Sequence, residues 1–130
     1  WNAAIKTAIE EPFLGTGPGT FRISYQKHRP PGSEPTRLTH NDYLQQASDS
    51  GWPGFVLYTV FLVSSVWKLS RRQFTDPVFI AIRLGLLAWT IQGAVEFGLY
   101  IPALAWPAWL MLGWLLATPI NQFDKSPKNN

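Results

Sequence analysis

Cysteine is absent from the 130 residues, so neither a disulfide scaffold nor a thiolate metal site can be built. Charge is scarce as well: Asp, Glu, Lys and Arg make up 15% of the chain, against about 25% in an ordinary soluble domain. Residues 1–50 hold ten of the nineteen charged side chains, whereas the 47 residues from Pro77 to Phe123 hold two, Arg83 and Glu96. The mean hydropathy of −0.02 therefore averages a polar third with a very apolar remainder. A chain with 46% hydrophobic residues is not disordered. Its net charge of +3 is not gathered on one polar surface, so no nucleic-acid partner is expected. Two His and scattered carboxylates make no metal-ligand set, no Ser stands in a nucleophile elbow, and no cofactor is expected. The chain opens on Trp1, without an initiator Met or signal peptide, and is expected to be the C-terminal piece of a longer membrane protein.

Three stretches read as membrane spans. Gly51 to Trp67 carries no charge, Pro77 to Val95 carries only Arg83, and Phe97 to Phe123 carries none. A span needs about 17–25 residues, which predicts helices over roughly 52–68, 77–97 and 101–118. The expected fold is an all-α, polytopic membrane protein fragment: an outer loop, 1–51, then three transmembrane helices within 52–120 and a tail, 121–130. Seven Trp lie mostly near the ends of these stretches, as in the aromatic belt of a bilayer interface. The alternative, three core helices of a soluble all-α domain, requires polar faces that these stretches lack. Lys68, Arg71 and Arg72 between the first two spans, with Lys125 and Lys128 in the tail, place those segments in the cytoplasm. Residues 1–51 and the turn near 99–102 then lie outside it, and Arg83 can snorkel toward the cytoplasmic face.

The outer segment carries the polar chemistry. Trp1, Ala4, Ile5, Ala8 and Ile9 are spaced as one helical stripe ended by Pro12, and Leu14-Gly15-Thr16-Gly17-Pro18-Gly19 cannot be regular structure. Phe21 to Lys27 suits a short helix or a strand. A helix is predicted from the Thr39-His40-Asn41-Asp42 stretch to about Ser50, with Thr39 as N-cap and Asp42 as a short-armed capping box. On it Asn41, Gln45 and Asp49 share one face, and His40, Leu44 and Ser48 the next. A helix N-terminus disfavours a protonated imidazole, and a neutral His40 is what a general base requires. His28, between Lys27 and Arg29, reads as an ordinary surface residue. Arg22, Lys27, Arg29 and Arg37 are either solvated charges, contacts to anionic head groups, or a pyrophosphate clamp.

His40-Asn41, nine residues, then Gly51-x-x-Gly54, with Asp49 two before the first glycine, resembles the signature of the O-antigen ligase and polysaccharide polymerase family of bacterial inner-membrane proteins. Two more stretches are similar to family segments: Gly15-Thr16-Gly17-Pro18-Gly19-Thr20-Phe21 after a Trp-led helix, and Glu96-Phe97 followed by Ile101-Pro102-Ala103. The resemblance implies transfer of a glycan from an undecaprenyl-pyrophosphate-linked donor to an acceptor hydroxyl on a glycan, lipid A-core or protein, without a metal. It implies His40 as general base in a periplasmic loop of the inner membrane. Asn41 would orient it or bind sugar, Arg22 and Arg37 would face the departing pyrophosphate, and Gly17 and Gly19 would line the substrate site. Asp49 and Glu96 are further candidates. Ligase, repeat-unit polymerase and protein-directed transferase share these motifs, and a rival of another class is a non-catalytic subunit for polysaccharide export or transport. The isolated 130 residues are expected to be inactive, because a site shared with absent helices is not preorganised.

Overall fold

The computed structural model describes residues 1–119; the expected tail over 121–130 lies outside the described residues. Among the described residues every regular element is a helix: α1 (Asn2–Glu10), α2 (Phe21–His28), α3 (Asp42–Ser70), α4 (Pro77–Gln92) and α5 (Pro102–Ala117). The stretch Phe21–Lys27 is thus helical.

α1 turns a face of small residues inward. Ala3, Ala4, Thr7 and Ala8 are buried where the helix meets α3 and α2, and small side chains let helix backbones approach closely. The stripe expected from spacing is therefore split: Ala4 and Ala8 are buried, while Trp1, Ile5 and Ile9 are exposed. Phe21 at the start of α2 packs with Ala3 and Ala4, against Tyr25 and Leu44.

α3 is continuous from Asp42 to Ser70 but broken in direction at Gly51, whose φ of 68° and ψ of −174° are non-helical. Such a conformation is open essentially to glycine alone, and Pro53 cannot donate a hydrogen bond. The break leaves backbone groups without intrahelical partners, and the loop after α1 supplies them. Thr16 N donates to Ser48 O (3.0 Å), Gly17 N to Asp49 O (2.9 Å), and Trp52 N to Pro12 O (2.8 Å). The approach is so close that a Cβ on Gly15 would strike the Ser48 and Asp49 carbonyls, and one on Gly51 would lie 2.6 Å from Pro12 O. The helix expected to stop near Ser50 instead bends there and runs on.

α3, α4 and α5 pack together around Leu69, Phe74, Leu86, Ala108, Leu112 and Leu115. Asp76 caps α4 by accepting from Val78 N (2.8 Å), and Pro77 and Pro102 open α4 and α5, where a missing N–H costs nothing. The second and third expected spans are trimmed: α4 ends at Gln92 and residues 93–101 are irregular. At 1.5 Å per residue the 16-residue α4 and α5 are about 24 Å long. α3 is the one helix among the described residues long and apolar enough to cross a membrane by length and composition, α4 and α5 being shorter apolar helices.

Arg72 does more than add charge to the α3–α4 loop. Its guanidinium donates to the carbonyls of Leu115, Leu116 and Thr118, satisfying the free C-terminal end of α5. Arg83 turns toward the same end, donating to Arg72 O at 3.2 Å and lying over the Phe74 ring.

Gly15→Ala and Gly51→Ala each force a positive φ on a residue with a Cβ and drive that carbon into backbone. Strain and overpacking together predict a loss of roughly 2–5 kcal/mol, read as a lowered thermal unfolding midpoint of the full-length protein in detergent. An unchanged midpoint would show that the loop does not interlock with the bend.

Candidate active site

The N-terminus of α3 is built as a clamp on the segment that joins α4 to α5. Asn41 is the N-cap, its Oδ1 accepting from Leu44 N (2.9 Å), so the cap lies two residues beyond Thr39. Thr39 instead braces the turn: its hydroxyl donates to Asn41 O (2.6 Å) and its N–H to the buried Gln45 Oε1 (2.9 Å). The other end of the Asn41 amide donates to Ala94 O (2.7 Å). Asp42 N donates to Gly93 O (2.7 Å), while Asp42 Oδ2 accepts from Leu99 N (2.9 Å). Tyr43 reaches the same region through Thr90 O (2.9 Å). Asp42 was expected to close a capping box; it is buried, and its carboxylate is turned toward residues 98–99 instead.

These bonds bracket Glu96 on both sides and bring it to His40. His40 lies one residue before the cap, outside the helix, with φ 52°, so the helix-dipole argument for its neutrality does not apply to this geometry. Its Nδ1 is 3.2 Å from Glu96 Oε2, and its ring meets Phe97 edge-on at 4.6 Å. An ionised carboxylate can only accept, so Nδ1 is the donor, and in the neutral form of the ring Nε2 is the nitrogen with the lone pair. His40 and Glu96 are both about half exposed, at 55% and 51% of their side chains, and so open to a substrate from solution. Glu96 lies in the irregular 93–101 segment rather than at the end of a span.

Asp49 is the second node. One helical turn apart on the expected face, Gln45 Nε2 donates to both Asp49 oxygens (3.0 and 3.1 Å). Asp49 Oδ2 also accepts from Gly19 N (3.2 Å) and Tyr100 OH (2.9 Å), and Gln46 Nε2 donates to Tyr100 OH (3.2 Å). The buried carboxylate thus ties α3 to the glycine loop and to the start of α5. The Gly17 and Gly19 amides both point at Asp49, one at its carbonyl and one at its side chain. Burial lifts the Tyr100 phenol well above its ordinary range, and the Asp49 charge adds to the shift.

Arg22, in the first turn of α2, and Arg37, in the irregular segment before His40, are exposed; among the described residues neither is held in an ion pair. His28 differs from its expected surface role. Its side chain is only 10% exposed, with Nε2 3.2 Å from Glu10 Oε2, which also accepts from Lys27 Nζ at 2.7 Å. The Lys27 hydrogen bond holds the Glu10 carboxyl below its ordinary value, and Glu10 in turn raises the Lys27 ammonium.

Sequence spacing reached His40, Asn41, Gln45 and Asp49 but missed the Asp42 and Tyr100 contacts, which join residues more than 50 positions apart. The adjacent Asn41-Asp42 pair was the available signal, since two polar side chains at one helix start cannot both cap it.

The arrangement is that of a carboxylate-oriented imidazole on an irregular polar surface above an apolar helical bundle. The family model for O-antigen ligase matches residues 1–59, α1 through the first part of α3 including His40 and Asn41, and this supports the chain as a fragment of an O-antigen ligase family protein. The match suggests O-antigen ligase-type function, a glycosyl-transferring activity, in general terms. No curated protein and no solved structure matches the chain.

Tyr100→Phe removes one donor from the buried Asp49 carboxylate. The expected cost is about 1–3 kcal/mol, seen as a lowered unfolding midpoint of the full-length protein in detergent, with no change predicted if Asp49 is instead free and hydrated.

Proposed function

We propose that this chain is the C-terminal part of a membrane enzyme that transfers a glycan from an undecaprenyl-pyrophosphate carrier to an acceptor hydroxyl, with His40 as general base. The observation that carries the reading is the His40–Glu96 pair, held by the Asn41 and Asp42 clamp, in a segment that begins within the matched family region. Nε2 of His40 takes the proton of the acceptor hydroxyl, whose oxygen bonds to the anomeric carbon of the donor sugar. The bond from that carbon to the pyrophosphate oxygen breaks, and the lipid pyrophosphate leaves with the electron pair. Glu96 holds the imidazole in the accepting tautomer and stabilises the imidazolium that forms. Arg22 and Arg37, exposed and free of ion pairs among the described residues, are suited to meet the negative charge that develops on the leaving group. Asn41, Gly17, Gly19 and Asp49 shape the surface on which this happens; Asn41 and Asp49 do so through hydrogen bonds inside the protein.

The same reading places α3, α4 and α5 across the bacterial inner membrane, with residues 1–51 and 93–101 on its periplasmic side. In support, only 17% of the most apolar 18-residue stretch of α3 is buried, so this helix turns outward what a soluble core helix would hide. Lys68, Arg71 and Arg72 cluster at the end of the bundle away from His40, as cytoplasmic loops require. The acceptor can be a glycan, a lipid A-core or a protein.

His40→Gln in the full-length protein is expected to lower glycan transfer about 100-fold or more with normal membrane insertion. Glu96→Gln, which keeps shape but loses the charge, should lower kcat about 10- to 100-fold with KM little changed. Full transfer by His40→Gln sinks the general-base assignment. Arg22→Ala with Arg37→Ala should reduce turnover, and Lys at both positions should restore part of it; turnover equal to wild type would move the pyrophosphate contact elsewhere.

A further inference from the structure

At 100° per residue α1 divides into three stripes. Ala3, Ala4, Thr7 and Ala8 form the stripe buried against the protein. Asn2, Lys6 and Glu10 form a polar one, and Glu10 is engaged from its side by Lys27 and His28 of α2. The third stripe is Trp1, Ile5 and Ile9, and it is both apolar and open. The turn that follows extends it, with Phe13 77% and Leu14 85% exposed. Five exposed large apolar side chains within fourteen residues are not an ordinary water-facing surface.

The height of the patch is set by covalent and hydrogen-bonded geometry. Pro12 O accepts from Trp52 N at 2.8 Å, and the Gly51 Cα is packed so tightly on Phe13 that a Cβ there would lie 2.7 Å from its carbonyl carbon. Phe13 and Leu14 therefore stand beside Trp52, at the level where the outward apolar surface of α3 begins. A helix with one polar stripe carrying Lys and one apolar stripe carrying Trp and Ile has the composition of an interfacial helix, and Trp favours the head-group level.

We propose that the Trp1–Ile5–Ile9 stripe of α1, continued by Phe13 and Leu14, is seated in bilayer lipid on the leaflet that faces His40, where it prolongs the lipid-facing surface of α3. The proposal rests on the reading that α3 crosses the bilayer. Lipid is favoured over water by the continuity of this patch with α3 and by the separation of polar and apolar stripes on a single helix.

Site-directed spin labelling of the full-length protein in phosphatidylcholine–phosphatidylglycerol vesicles tests it, with any cysteine elsewhere in the protein replaced. Nitroxides are attached at Ile9→Cys and Phe13→Cys, with Val60→Cys on the exposed face of α3 and Arg29→Cys in the polar loop as references. Oxygen, which partitions into lipid, should relax the labels at 9, 13 and 60 several-fold more than a water-soluble nickel chelate does, and the label at 29 should show the reverse. Nickel-dominated relaxation at 9 and 13, with 60 still oxygen-dominated, overturns the proposal in favour of water while leaving the spanning helix intact. Weak relaxation by both reagents at 9 and 13 overturns it in favour of protein covering the patch. Nickel-dominated relaxation at 60 would remove the spanning helix, and the proposal with it.

Discussion

The break in α3 at Gly51 is the constraint on which the rest of the molecule depends. A helix interrupted in its interior exposes carbonyls on one side of the break and amides on the other, and buried backbone groups of this kind need partners. Residues 12–17 provide both sets, accepting from Trp52 and donating to Ser48 and Asp49. Without a side chain on Gly51 or Gly15 the two backbones can lie in contact. The bend thereby becomes a joint between α1, the glycine loop and the apolar bundle, and the polar half of α3 is aimed differently from the apolar half.

That aim sets the geometry around His40. The polar half ends at a clamp, with Asn41 and Asp42 holding the backbone of residues 93–99 on both sides of Glu96. Glu96 is exposed and makes no contribution to the core, so this grip on the backbone around it, with the His40 contact itself, keeps its carboxylate near the imidazole. Asp49 supports the same segment from below through Tyr100. The site is thus positioned by main-chain bonds to buried side chains, an arrangement that fixes a loop more firmly than surface ion pairs could.

The opposite end of the bundle is organised by Arg72, which closes the C-terminus of α5 while standing in the basic α3–α4 loop. One residue there serves two purposes, a charge in the connecting loop and a cap for three carbonyls. Arg83 joins it through Arg72 O, so the single charge inside the α4 stretch is led toward the basic α3–α4 loop.

Helical character, the three apolar stretches, the polar N-terminal segment and the His40-Asn41 motif are all legible along the chain, because hydropathy and periodicity are local properties. The Gln45–Asp49 pairing is legible for the same reason: one turn of helix sets it. The true cap at Asn41, the early end of α4 at Gln92, the split face of α1 and the meeting of His40 with Glu96 are not. Each depends on which of several acceptable partners lies nearby in space. Asp42 could have capped its own helix and instead took Leu99 N across 57 residues; Ile5 and Ile9 could have been buried, but the small side chains of Ala4 and Ala8 allowed the closer packing. Local physics decides what a segment can form, and only the packed chain decides which polar groups are buried together and must therefore satisfy one another.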